Sequence, residues 1–333
     1  EPPASSSAST GTSSAKKLSE AEKENVNQVY ENMKEKNMWT LRTGTVVEKV
    51  MRKAAMDSQY EHPVHSVIFD PKDPMWNNYF TKMNLMRSVR KTDSKSPHCQ
   101  KNLKISRNLS LVWYIDNDLY QHACKKHYHP KNDSDLSWMQ HSTVDALLLL
   151  FHDYLKEKRS ETDLIRRVWT FIDRCFDPCP NIVVNSGELT SKTTSKGRNK
   201  DGAIDGANAL SRTKMGTKVD PLFSTQMFEI GAMEAGAVSD RSSTKTHTKC
   251  PKTLKDMLVE MERANPFNIQ QYKVCGFILS GSLFLQFVVL DCPKGHVCRV
   301  TRLPDWLPYP TSAGLFAARF FPYYTLLGVQ RSI

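Results

Sequence analysis

Acidic residues are in short supply in this chain, with 35 Asp and Glu against 46 Lys and Arg, a formal charge of +11. The imbalance favours an anionic partner such as nucleic acid, because Lys and Arg that neutralise phosphates release counterions. A basic, solvated surface would give the same count. Cysteine is also scarce: 8 in 333 residues form no framework of spacings, which excludes a disulfide scaffold and suits a reduced, intracellular protein. The opening segment EPPASSSASTGTSSAKK has no apolar core of the kind a secretory signal needs. No Gly-rich phosphate loop, nucleophile elbow or internal repeat is visible, which argues against a kinase or an α/β-hydrolase.

Long apolar runs are limited to VCGFILSGSLFLQFVVL, residues 274–290. Ser280, Gly281 and Ser282 interrupt it, and Val and Phe dominate its halves, so the run predicts a buried β-hairpin rather than a membrane span. Residues 1–18 have almost nothing to bury and read as a disordered tail. Residues 19–158 read as a mainly helical N-terminal region, opening with a helix capped by Ser19 and Glu22 at capping-box spacing. A second helix follows with Val46, Val47, Val50 and Met51 on one face. An extended run at 62–80 closes on Asp–Pro turns, and the polar stretch 90–108 reads as a loop. Helical spacing returns at 135–158 and 161–176.

From 159 to 333 the pattern is α/β, with a mixed sheet. Strands are expected at 181–185, in VDPLFS, in MFEIGAMEAG, and at 273–280, 283–291 and 296–303. A basic, flexible insertion occupies 190–218, and a Thr-Lys-rich loop precedes a helix at 253–265. The segment 312–329 reads as a short helix broken by Pro322. Mobile Lys and Arg in the insertion could follow a phosphate backbone; a solubilising linker is the alternative.

The stretch KVDPLFSTQMFEIGAMEAG, 218–236, sets Asp220, Glu229 and Glu234 among apolar residues. A buried charge is neutralised, paired or bound to metal, and acids on a solvated strand face paired with lysines would be the plainer arrangement. The order helix, three strands, helix, strand, with an Asp entering the second strand and a Glu in the third, resembles the PD-(D/E)xK nuclease-like superfamily over roughly 160–305. The pieces SGE (186–188), GTKVD (216–220), FEIGAMEAG (228–236) and GHVCR (295–299) also resemble a fungal protein family of Mucorales type that has no established activity. The nuclease resemblance implies a restriction-endonuclease-like αβββαβ core, with Asp220 and Glu234 as ligands of Mg²⁺ or Mn²⁺ and Glu188 as an auxiliary ligand. Such a cation neutralises phosphate charge and lowers the pKa of water. Gly236 stands where the superfamily places its Lys. Related enzymes move that Lys to the following helix, which implies Lys252 or Lys255, with Lys255 as the catalytic candidate.

Two functions follow. One is a metal-dependent nuclease acting on DNA, and the other a catalytically silent module that keeps the fold and binds nucleic acid or protein. Weaker constellations are His122, Cys124, His127 and His129, and a composite of Cys175, Cys179, Cys292, His296 and Cys298, as zinc sites. The first crowds its ligands closer than paired structural-zinc spacing and reads more simply as a polar helix end; the second needs the fold to join its two halves, and its strand cysteines read more simply as small apolar residues.

Overall fold

The computed structural model describes residues 16–81, 84, 116–125, 127–199, 215–236, 244–280 and 283–330. The expected disordered tail, the 90–108 loop and the centre of the 190–218 insertion fall outside these residues, except for the few at their edges. The chain is mixed α/β. Among the described residues there are seven strands, β1 (Ile68–Phe69), β2 (Val183–Thr190), β3 (Lys218–Ser224), β4 (Glu229–Gly236), β5 (Lys273–Ser280), β6 (Phe284–Asp291) and β7 (Cys298–Pro308). They form one sheet in the order β1-β7-β6-β5-β4-β3-β2. Strands β2 to β4 form an antiparallel meander, β4 and β5 are parallel, and β5 to β7 are again antiparallel.

Helices cover both faces of this sheet, which explains why β5 and β6 read as continuous apolar runs. On one face pack α4 (Ser134–Phe151), α5 (Glu161–Arg167), α6 (Thr170–Arg174) and α9 (Phe316–Gln330). Trp169, Phe171, Phe320 and Tyr323 meet Phe223, Met233, Phe277 and Phe287 there. The other face is covered by α8 (Thr244–Ala264), whose Cys250, Leu254, Met257 and Leu258 pack on Leu222, Ala232, Ile278 and Val288. Alternation along β5 divides the cores, with Val274 and Ile278 under α8 and Cys275, Phe277 and Leu279 opposite.

The N-terminal helices α1 (Glu20–Glu31) and α2 (Val47–Asp57) form a third core with Trp76, Phe69 and Phe80. Ser19 and Glu22 make both arms of the expected capping box. This region is not separate from the sheet, because β1 pairs in parallel with β7 at the far edge. Buried Glu48 fastens the junction, accepting from Trp39 N at 2.8 Å and from His296 N at 3.1 Å. Gly295 has φ +73°, and a Cβ there would lie 2.1 Å from Glu48 Oε1, so only glycine fits that turn.

Three local expectations are corrected. The Thr-Lys-rich segment before 253 is helical from Thr244 and runs through Pro251 into the expected helix. Pro251 has no N–H to donate within the helix, yet Cys250 beside it is fully buried against the sheet, which holds the earlier turns in place. The C-terminal helix likewise continues through Pro322, with Phe320, Phe321, Tyr323 and Tyr324 all buried around it. Within the insertion, Lys192–Arg198 form a short helix, α7.

Candidate functional site

The β3–β4 ladder ends at the pair Leu222 and Ala232. Pro221, next along β3, has no N–H to extend it. Two residues beyond that pair on either strand stand Asp220 and Glu234, where the strands are free to part. Asp220 Oδ2 accepts from Ala235 N at 3.2 Å, so its carboxylate reaches across to β4. Glu234 shares the face of Ala232 by alternation, under α8.

The lysine that meets these acids is Lys249, one turn before the helix expected from the sequence. Its Nζ lies 2.5 Å from Glu234 Oε2. Glu234 is 2% exposed, whereas Lys249 is 45% exposed, so the pair spans the boundary between core and solvent. Glu234 Oε1 is buried and has no hydrogen-bond partner among the described residues. A carboxylate oxygen in that position is an expensive feature unless a cation or donor completes it. Gly236 leaves the strand position beyond Glu234 without a side chain, and Lys249 brings an ammonium to Glu234 from the helix instead.

The electrostatics follow from burial. Burial, and then the charge of Asp220 and Glu161, push the Glu234 carboxyl up to about 7, against the opposing pull of Lys249. Burial also raises Asp220, opposed by its hydrogen bond from Ala235. Glu161, in the first turn of α5, is raised by burial and by the charge of Asp220. It is a member of the acidic group that the sequence reading missed, because an acid following Ser160 looks like ordinary helix capping.

The other expected residues are placed elsewhere. Glu188, on β2, is 70% exposed and paired with Lys218 Nζ at 2.9 Å; its charge is felt at Asp220, but its carboxylate is engaged at the surface. Lys255 Nζ donates to Ser66 O at 2.6 Å, and Lys252 pairs with Glu61, so neither meets Glu234. Glu229 is buried but structural: it accepts from Ser191 Oγ at 2.6 Å, Lys192 N at 2.8 Å and Thr193 N at 3.2 Å, capping the first turn of α7. Cys175 belongs to one core and Cys292 and Cys298 to the other, so the composite zinc set is divided by the sheet.

Among the described residues no three His, Cys, Asp or Glu side chains converge as metal ligands. Two carboxylates suffice for Mg²⁺, which keeps several waters and takes the rest of its oxygens from substrate phosphate. Asp220 and Glu234 are two acids within electrostatic reach of each other, and Glu234 Oε1 has no partner among the described residues. Beside them runs a groove of about 560 Å³ lined by Arg198, Lys249, Lys252 and Lys255, with Glu61 and Asp256 as its acids. The groove is therefore net basic and open to an anionic chain. No helix among the described residues is long and apolar enough to cross a membrane. No family model, no curated protein and no solved structure matches the chain.

Proposed function

We propose that this chain is a metal-dependent phosphodiesterase acting on nucleic acid, with DNA as the first substrate to try, carried on a PD-(D/E)xK-like αβββαβ core. The observation that carries the reading is the pairing of Lys249 with Glu234 beyond the last ladder pair of β3 and β4, within the electrostatic reach of Asp220, with Glu234 Oε1 buried and partnerless among the described residues. The element order α5/α6, β2, β3, β4, α8, β5, with the short α7 inserted between β2 and β3, an antiparallel meander and a parallel β4–β5 pair, supports the fold assignment.

Asp220 and Glu234 would hold Mg²⁺ or Mn²⁺, which supplies neutralisation of phosphate charge and activation of water. Lys249 supplies an ammonium where negative charge develops on the phosphate oxygens, the task the superfamily gives to the lysine that Gly236 replaces. Glu161, raised by burial and then by the charge of Asp220, adds a third acid to the electrostatics of the site. Arg198, Lys252 and Lys255 line the path for flanking phosphates, contacts that position a strand without reading its sequence.

A non-enzymatic binding module is the second reading. It is favoured by the fact that Lys249 already neutralises Glu234 and that Ala235 N–H already serves Asp220. The test is incubation of the purified chain with supercoiled plasmid and with single-stranded DNA in Mg²⁺ or Mn²⁺, beside an Asp220→Ala, Glu234→Ala double variant. Cleavage by the wild type alone is the expected outcome. Salt-sensitive binding without cleavage would select the binding module, and equal cleavage by both proteins would point to a contaminant.

A further inference from the structure

A second cavity, of about 510 Å³, opens on the same sheet face beside the acids. It lies between the 62–74 segment, the start of α8 and strands β6 and β7, within the size range of small-molecule pockets. Glu234 pairs with Ile278 on β5, and Ile278 pairs with Gln286 on β6, so the cavity begins two strands from Glu234. Strand spacing makes that roughly 10 Å. Thr248, the neighbour of Lys249, lines both this cavity and the basic groove.

The linings of the two spaces differ in kind. The groove carries an excess of cations. In the cavity the charges balance, Lys72 and Arg302 against Asp70 and Asp73: Arg302 Nε is 2.7 Å from Asp70 Oδ2, and His62 Nε2 is 2.8 Å from Asp73 Oδ2. Arg302 also donates to Gln286 Oε1 at 2.6 Å. The remaining lining is largely apolar, from Pro63, Pro74, Pro251, Ile68, Val300 and Trp306. A space with balanced charge, polar edges and apolar walls suits a heteroaromatic ring better than a phosphate.

Trp306 reaches the cavity by ordinary alternation beside Leu307, at a break in the strand. The β6–β7 register passes from Leu285 opposite Leu307 to Phe287 opposite Leu303, so three residues of β7, Pro304 to Trp306, stand against Gln286 alone. Irregularities of this sort gather beside functional sites. Leu303 and Leu307 stay on the α4–α9 face, while Trp306 is turned to the α8 face.

We propose that this cavity takes one unpaired nucleobase, stacked on Trp306, from the strand whose phosphates lie along the groove at Lys249. This rests on the reading of Lys249 and its groove as the phosphate-binding side of the site. A base cannot enter such a pocket while it is stacked and paired in a duplex, so the preferred substrate is single-stranded or locally unpaired nucleic acid.

The test is fluorescence anisotropy of the full chain with a labelled single strand and with the matching duplex, in chelator so that nothing is cleaved. Trp306→Ala is expected to weaken single-strand binding roughly tenfold, the scale of one base–aromatic stack, and to leave duplex binding unchanged. Trp306→Phe keeps a stacking face and is expected to keep most of the preference, which separates lost stacking from a damaged fold. Walking one abasic site along the strand should find a position where Trp306→Ala has no further effect. Equal losses on both substrates, or no such position, would overturn the proposal. A Trp306-dependent preference in a protein that never cleaves would support the pocket and remove the phosphodiesterase reading. Cleavage of single strands with no Trp306 dependence in binding would do the reverse.

Discussion

Lys249→Met should lower the cleavage rate on the order of 10²–10³-fold, the range for removing one preorganised donor from a developing oxyanion. Lys249 is the cation that meets the buried Glu234 carboxylate, whereas Lys255 is engaged with Ser66 O on the far side of the groove. Lys255→Met should therefore appear as a higher KM with kcat retained, because a groove contact binds ground and transition states alike. The Lys249 variant carries a second signature. Lys249 holds the Glu234 carboxyl down against burial, so its loss lets that carboxyl rise further and moves the pH profile of cleavage to higher pH. A kcat loss shared equally by the two lysine variants, or an unmoved profile in Lys249→Met, would remove Lys249 from the centre. Steady-state kinetics across pH reads both effects.

Glu234→Gln should make the protein more stable at about pH 8 and change little at about pH 4. Burial raises this carboxyl from an ordinary 4.5 to about 7. Between those values the folded chain keeps a proton that the unfolded chain has released, so stability falls as pH rises through that window. Above about 7 the full cost is present, roughly 3 kcal/mol by the conversion of pKa shift to free energy. Asp220, also raised by burial, adds a cost of the same sign. Glutamine removes the buried charge, and the Lys249 it leaves behind is about half exposed and loses little. Chemical denaturation of the two proteins at several pH values measures the difference. A variant less stable than wild type above pH 7 would mean that the Lys249 pair is a net structural asset. Since both acids must ionise to hold a cation, cleavage should rise as pH passes about 7.

A site that costs stability is a common mark of function, since binding and catalysis need groups that the fold alone would not favour. The acids themselves were legible. Charges in strand-like segments are rare enough to stand out, and Asp220 and Glu234 lie at the ends of β3 and β4, where the charge of Asp220 is felt at Glu234. The β5–β6 hairpin and the α1 cap were legible too, because alternation and capping are local signals. Lys249 was not, because its segment reads as a Thr-Lys loop ahead of Pro251. The helix holds there through tertiary contact: at Gly276 on β5 a Cβ would lie 2.7 Å from Cys250 Sγ, so α8 settles closer to the sheet than any other residue would permit. Glu229 could not be separated from the other acids, since the helix turn it caps lies 36 to 38 residues earlier in the chain. The cavity over Trp306 joins residues 62–74 to a bulge in β7, a contact that no local pattern encodes.

The most direct test of the centre is a count of bound Mn²⁺ by electron paramagnetic resonance, with the full chain at about pH 8, above the value of about 7 to which burial pushes Glu234. The account predicts an ion bound by the wild type, lost in Asp220→Asn and in Glu234→Gln, and kept in Glu188→Gln, whose carboxylate is engaged with Lys218 at the surface. No bound ion in the wild type, or the same ion in all three variants, would contradict it.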